Sequence, residues 1–286
     1  MSQPQIGRIG IWSLELRFGD PVQAAEAVAE LDELGYGAVW VPGGVGGDVA
    51  GDVGRLLAAT RRTTIATGIL NVWKHDAAEV ASWWKGLSDD HKARLLLGLG
   101  VSHGPIIGEQ YGKPLAVMRN YLDGLAANGM PSDSLCLAAL GPKMLELARD
   151  RTAGAHPYLV PPEHSAQARE VLGPGKLLAP EQGVVLESDP GKARDMARKA
   201  LDHYRSLPNY CNSWKRLGFS KGEIGSMTDR FIDAIFAWGS AEKIAARVQD
   251  HLAAGADHVC LQVITGGGTD IQAARPAWRE LASALL

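Results

Sequence analysis

Arg94-Leu95-Leu96-Leu97-Gly98-Leu99-Gly100-Val101-Ser102-His103-Gly104 decides how the rest of this 286-residue chain is read. Leu95 to Leu99 shows no polar alternation and is too short for a typical helix, so it reads as a strand buried on both faces. Gly98, Gly100 and Gly104 leave its end with little side-chain bulk, as where a chain turns sharply or a ligand approaches the backbone.

Toward the N-terminus, Ile9 to Ser13 is a first strand, and Asp20-Pro21 opens a helix with an N-cap and an N1 proline. Val22, Ala25, Val28, Ala29 and Leu31 give that helix its apolar face before Leu34-Gly35-Tyr36-Gly37 stops it. Ala38 to Val41 is a second strand running into Pro42-Gly43-Gly44, Arg55 to Thr60 a short helix, and Thr64 to Asn71 a β-branched third strand. Asp76 caps a helix over 77–91, where Val80, Trp83, Trp84 and Leu87 form a stripe suited to packing on the sheet or on a subunit.

Toward the C-terminus, a Gly/Pro-rich loop to Pro114 precedes a helix over 115–128. Leu135 to Leu140 is a fifth strand, entering Gly141-Pro142-Lys143 and a helix over 144–149. Gly154 to Leu159 is a sixth, whose proline predicts irregular pairing. Pro162 to Leu172 is helical and Gly183 to Glu187 a seventh strand. Residues 189–238 are longer and more helical than one crossover needs and read as a helical insertion. Ser240 caps a helix to Ala254, Asp257 to Ile264 is an eighth strand, and a last helix starts at Ile271.

Eight strands, each followed by helical sequence, predict one α/β domain over 1–286, a (β/α)8 TIM barrel with the insertion between strands 7 and 8. An open doubly wound sheet with an appendage has the same alternation. In a barrel the strands' C-terminal ends carry the chemistry, which gathers Gly43, Gly68, Ile69, Asn71, Gly100, Val101, Ser102, His103, Gly141, Pro142, Lys143 and His156 around one mouth.

Composition narrows the function classes. A net charge of -3 supplies no basic excess for nucleic acid, so no such partner is expected. Cys136, Cys211 and Cys260 lack CxxC spacing and read as packing residues in a reducing compartment. Met1 to Arg8 lacks the order of a signal peptide and no apolar run reaches membrane-spanning length, so a cytoplasmic protein without a membrane partner is expected.

Gly98-Leu99-Gly100-Val101-Ser102-His103 lacks the third glycine of the dinucleotide fingerprint, and no GxxxxGK[S/T] occurs. Gly100-Val101-Ser102-His103-Gly104 matches the nucleophile elbow G-x-S-x-G, the basis for a serine hydrolase using Ser102. That motif needs the strand to turn straight into a helix, whereas Pro105, Gly108 and Gly112 predict a loop. Ser82-Trp83-Trp84-Lys85 lies mid-helix without companions, and Glu163-His164 lacks the partner of a metal site. Gly141-Pro142-Lys143 suits either an anion at a helix N-terminus or a plain tight turn.

Taken in order, several tracts resemble the luciferase-like monooxygenase family, flavin- or deazaflavin-dependent oxidoreductases built on a (β/α)8 barrel. They are Gly7 to Trp12, Leu34 to Trp40, Ala66-Thr67-Gly68-Ile69, Arg94 to Gly104, Ala138 to Met144 and Gly154 to Leu159. Ala139 to Lys143 and His156-Pro157-Tyr158 look most like the actinobacterial branch that uses coenzyme F420. The resemblance implies a bulged third strand with a cis peptide at Gly68-Ile69 behind the cofactor ring. It also implies that Gly100 to His103 border the ring and tail, that Gly141-Pro142-Lys143 hold a phosphate, and that the protein is a homodimer acting on a small molecule. FMN is the alternative cofactor, in a monooxygenase or a reductase.

Two departures bear on mechanism. Family members that oxidise alcohols or sugar phosphates carry Ser-Asp-His at the end of the second strand, where this chain has Val41-Pro42-Gly43-Gly44. The missing His favours reduction of an activated double bond or carbonyl over alcohol oxidation, and also admits a deazaflavin-binding protein without turnover. The acid expected beyond the fourth strand is replaced by Ser102-His103, which makes His103 the candidate proton donor or a partner for the cofactor tail.

Overall fold

A computed structural model describes residues 3–44 and 46–286. Met1 and Ser2, the start of the stretch read above for a leader, lie outside the described residues. The first half runs β1 (Ile9–Trp12), α1 (Glu15–Phe18), α2 (Pro21–Leu34), β2 (Ala38–Gly43), α3 (Val49–Ala59) and β3 (Thr64–Asn71). It continues with α4 (Ala77–Gly86), α5 (Asp89–Ala93), β4 (Leu95–Gly100), α6 (Gly104–Ile107) and α7 (Pro114–Ala127).

Then come β5 (Leu135–Leu137), α8 (Pro142–Arg151), β6 (Gly154–Ala155), α9 (Pro162–Leu172), β7 (Leu177–Leu178) and β8 (Glu181–Val185). Four helices follow, α10 (Pro190–Leu201), α11 (Pro208–Arg216), α12 (Lys221–Ser226) and α13 (Asp229–Ile235), before β9 (Phe236–Trp238). The chain closes with α14 (Ala241–Ala253), β10 (Val259–Val263) and α15 (Ile271–Leu285).

All strand pairs are parallel, and β1 pairs with both β2 and β10. The seventh barrel strand is one run broken at Ala179-Pro180, because proline cannot donate to the ladder. Hydrogen bonds flank the break. Glu181 N–H donates to Pro157 O at 2.9 Å on the β6 side, and Cys260 N–H to Pro180 O at 3.0 Å on the β10 side. The sheet therefore curls into the α/β barrel, with β9 as an extra short strand beside β8.

Some local readings are corrected. The stretch after β4 is helical over Gly104–Ile107 rather than a loop, since Gly104 and Pro105 occupy a first turn whose N–H groups need no intrahelical partner. The helix over 77–91 is two helices, because Ser88 caps a new one by accepting from His91 N–H at 3.2 Å. β7 and β9 are too short to leave a periodic signal.

Side-chain alternation sets the core. Ile9, Ile11, Val39, Leu95, Leu97 and Leu99 face the helices, while Trp12, Ala38, Trp40, Ala66 and Leu96 face the barrel axis with Cys136 and Cys260. Small inward residues make room for large rings. A Cβ at Gly10 would lie 2.6 Å from His258 Nε2, and one at Gly98 would collide with Thr67 O. A second apolar cluster, including Leu159, Tyr210, Trp214, Phe231 and Phe236, joins α10 to α13 to the barrel rim.

Candidate active site

The site is built upward from the barrel axis. Just past β6, His156 is 1% exposed and its Nδ1 lies 2.7 Å from Ala179 O. A carbonyl only accepts, so Nδ1 carries the hydrogen and Nε2 keeps a bare lone pair, without a hydrogen-bond partner among the described residues. Burial lowers this imidazole's pKa to about 4, so it is neutral near pH 7. Trp40 stacks on its face, and a Cβ at Gly68 would lie 2.9 Å from Nε2.

The bulge of β3 lies beside it. Register with β4 shifts between Ala66 and Leu70, and the Gly68-Ile69 peptide is cis. Trp12 Nε1 donates to Gly68 O at 3.1 Å and Thr67 Oγ1 to Gly98 O at 2.8 Å, fixing the irregular segment from both sides.

Past the bulge lies a cleft of about 930 Å³, counting space that opens to solvent. Ile69, Gly100, Val101, Ser102 and His103 are among its walls, with Ala138 and Ala139 beyond β5. Gly141, His156 and Tyr158 also line it, and α11 adds Asn209, Tyr210, Asn212 and Arg216. Arg216 Nη2 donates to Leu140 O at 2.9 Å, and a Cβ at Gly141, the N-cap of α8, would sit 3.6 Å from that nitrogen. One guanidinium and the open N-terminus of a ten-residue helix thus share a corner, an arrangement that attracts anions.

Other residues read as site residues from the sequence fall elsewhere. Gly43 sits against Ile69 O and Leu70 Cα, making room for the bulge. Gly68 faces Trp12 and His156 below the cleft. Asn71 is fully buried, its Oδ1 accepting from Trp73 N–H at 3.0 Å. Pro142 has no N–H to offer a phosphate, and Lys143 is exposed outside the cleft lining, because the first turn of α8 carries both away from it.

His103 Nδ1 lies 2.9 Å from Asn209 Oδ1, and its ring packs against Tyr210. Desolvation pulls its pKa below the ordinary value despite the Asn209 bond, which favours the neutral ring. Ser102 has a φ of 55° two residues before α6, the positive φ that an elbow serine adopts. Among the described residues no group of three His, Cys, Asp or Glu side chains is placed to hold a metal.

Sequence reasoning passed over α11. Asn209, Asn212 and Arg216 stand at i, i+3 and i+7, one polar face of a helix whose other face, Tyr210, Ser213 and Trp214, is buried. That pattern was the available signal.

Residues 13–127 match the sequence profile of the luciferase-like monooxygenases, the family whose resemblance was read above. No curated protein matches the sequence. Among solved structures, an F420-dependent secondary alcohol dehydrogenase in complex with an F420-acetone adduct superposes with a TM-score of 0.74 at 16% identity, covering 100% of both chains. Coenzyme F420-dependent tetrahydromethanopterin reductase from Methanopyrus kandleri gives 0.69 at 15% identity, covering 98% of each chain. The FMN complex of the oxygenating constituent of 3,6-diketocamphane monooxygenase from Pseudomonas putida gives 0.67 at 12%, covering 98% of this chain and 99% of that one. At such identities the likeness is one of fold.

Proposed function

We propose that this luciferase-like barrel is an oxidoreductase that transfers a hydride between a deazaflavin, coenzyme F420, and a small organic molecule. The observation that carries the reading is one conjunction. A bare, neutral His156 Nε2 and the bulge of β3 adjoin a cleft whose corner pairs Arg216 with the N-terminus of α8. The residues present fit such a group. Gly100, Ala138 and Ala139 offer a small-residue wall, and the Arg216 corner suits a phosphate.

Within that reading Ile69 and Gly100 would border the ring, over the bulge that His156 backs from below, and Arg216 with Gly141 would hold the tail phosphate. When bound, the deazaflavin supplies a two-electron hydride donor or acceptor. The chain's own part is orientation and exclusion of water. His103, held against Asn209 at the cleft wall, is the candidate proton donor.

FMN meets the same donors, so the test is a paired fluorescence titration of purified protein with F420 and with FMN. Saturable binding of F420 is expected; binding of FMN alone would move the reading to FMN, and binding of neither sinks it. The reduction of an activated double bond or carbonyl, the cytoplasmic location and the homodimer stand as parts of the same proposal. Among the described residues no helix is long and apolar enough to cross a membrane.

The backbone at Ser102 favours a second reading, a serine hydrolase. Ser102 has the positive φ of an elbow serine, but the adjacent imidazole, His103, is engaged with Asn209 rather than with Ser102. Labelling of Ser102 by a fluorophosphonate, without F420 or FMN binding, would establish it.

A further inference from the structure

Tyr158 lines two cavities. One face of its surroundings is the cleft just described; the other is a second chamber of about 1160 Å³, counting space open to solvent, over the ends of β1 and β10 and against α10. Among the described residues the two share this tyrosine and no other lining residue. Its ring lies 5.6 Å from Trp12, 5.6 Å from Tyr204 and 6.3 Å from Tyr210, so aromatic rings form the partition.

The second chamber is mostly apolar, with Leu14, Met196, Phe236 and Val263 on its walls. Its buried polar groups are few. Glu15 is 6% exposed and accepts from Ser13 Oγ at 2.6 Å, and burial raises its pKa, which favours the neutral acid. Gln262 Oε1 accepts the Tyr158 hydroxyl at 2.6 Å, fixing that hydroxyl at the partition. Among the described residues its lining carries one cation, Lys199, which is exposed and makes no buried counter-charge for an anion.

We propose that this second chamber holds the organic substrate, a neutral and largely apolar molecule with a single carbonyl oxygen, and that the Tyr158 hydroxyl holds that oxygen at the wall shared with the cofactor cleft. The inference rests on the oxidoreductase reading for its partner across the wall. Apolar walls supply the affinity, and a neutral donor supplies orientation without the desolvation cost that a charged ligand would bring. To bond a substrate oxygen the hydroxyl rotates from Gln262, which stays beside it as an alternative acceptor.

Cyclohexanone serves as the probe and benzoate as its charged counterpart, each titrated by ligand-observed NMR, with F420 and FMN titrated separately by fluorescence. The wild type is expected to bind cyclohexanone and not benzoate. Ala200→Phe, which fills the second chamber alone, should weaken cyclohexanone by about tenfold or more and leave the cofactor's affinity unchanged. Tyr158→Phe removes one oxygen and should weaken cyclohexanone about fivefold, and it keeps the test intact if Ala200→Phe does not fold. Equal binding of benzoate, full cyclohexanone affinity in both variants, or loss of cofactor binding in Ala200→Phe would each overturn the proposal. Cyclohexanone binding that obeys both variants, without any binding of F420 or FMN, would uphold the chamber while removing the cofactor reading.

Discussion

The indole of Trp40 stacks on the imidazole of His156 with centroids 4.1 Å apart and planes 12° from parallel, inside the barrel and below the cis peptide of β3. Trp40 Nε1 also donates to His258 Nε2 at 3.1 Å, and His258 Nδ1 donates to Gly7 O at 3.0 Å. A single indole therefore orients two histidines, and its wholly buried body fills the axis left open by Gly10, Ala38 and Ala66. Trp40→Ala should cost about 3–5 kcal/mol in urea unfolding. A loss below about 1 kcal/mol would show that the axis repacks without the ring.

Gly98 tests the tight contact between β3 and β4. A Cβ there would collide with Thr67 O, a backbone atom that cannot swing away. Gly98→Ala should destabilise the fold by about 1–3 kcal/mol through overpacking, whereas Gly54→Ala, with open space around it in α3, should stabilise by about 0.5–1 kcal/mol. Parallel melting curves of the two variants shifting in the same direction would contradict this account.

Much of this was legible in the sequence because burial on both faces leaves an unbroken apolar run. Leu95 to Leu99 carries that signal, Thr64 to Asn71 is marked by its β-branched residues, and caps such as Asp20 and Ser240 mark helix starts directly. The seventh strand was half legible, since Pro180 splits it into pieces too short for a period. The cleft's far wall was not legible. Arg216 reaches Gly141 only because α11 folds back over the rim, a contact across 75 residues that no local pattern encodes, so Lys143, close in sequence, drew the attention instead.

That contrast gives a direct comparison. Arg216 lies over the N-terminus of α8, and partial burial lowers its pKa without bringing it near neutrality, so it stays charged. Lys143 points to solvent outside the cleft. Arg216→Ala should weaken cofactor binding roughly tenfold to a hundredfold through loss of a charge-assisted contact, and Lys143→Ala less than about twofold. The reverse ranking in a fluorescence titration would return the phosphate to the lysine.

The pH dependence of stability should carry two opposed slopes. Burial lowers His156, His164 and His258 to about 4 and His251 to about 3, so between those values and the unfolded pKa of 6.5 the unfolded chain binds more protons. Their contribution is complete above pH 6.5 and is lost as pH falls. Glu181 acts the other way. It is wholly buried, Oε2 accepts from Leu159 N–H at 2.9 Å, and burial raises its pKa from 4.5 to about 8. The folded chain then binds the extra proton, and stability declines as pH rises between those values, by at most about 1.4 kcal/mol per unit. Glu181→Gln keeps the acceptor and removes the titration. It should be close to wild type at pH 4.5 and progressively more stable than wild type toward pH 8, measured by urea unfolding across the range. Parallel stability curves for the two proteins would mean that Glu181 keeps an ordinary carboxylate pKa in the fold.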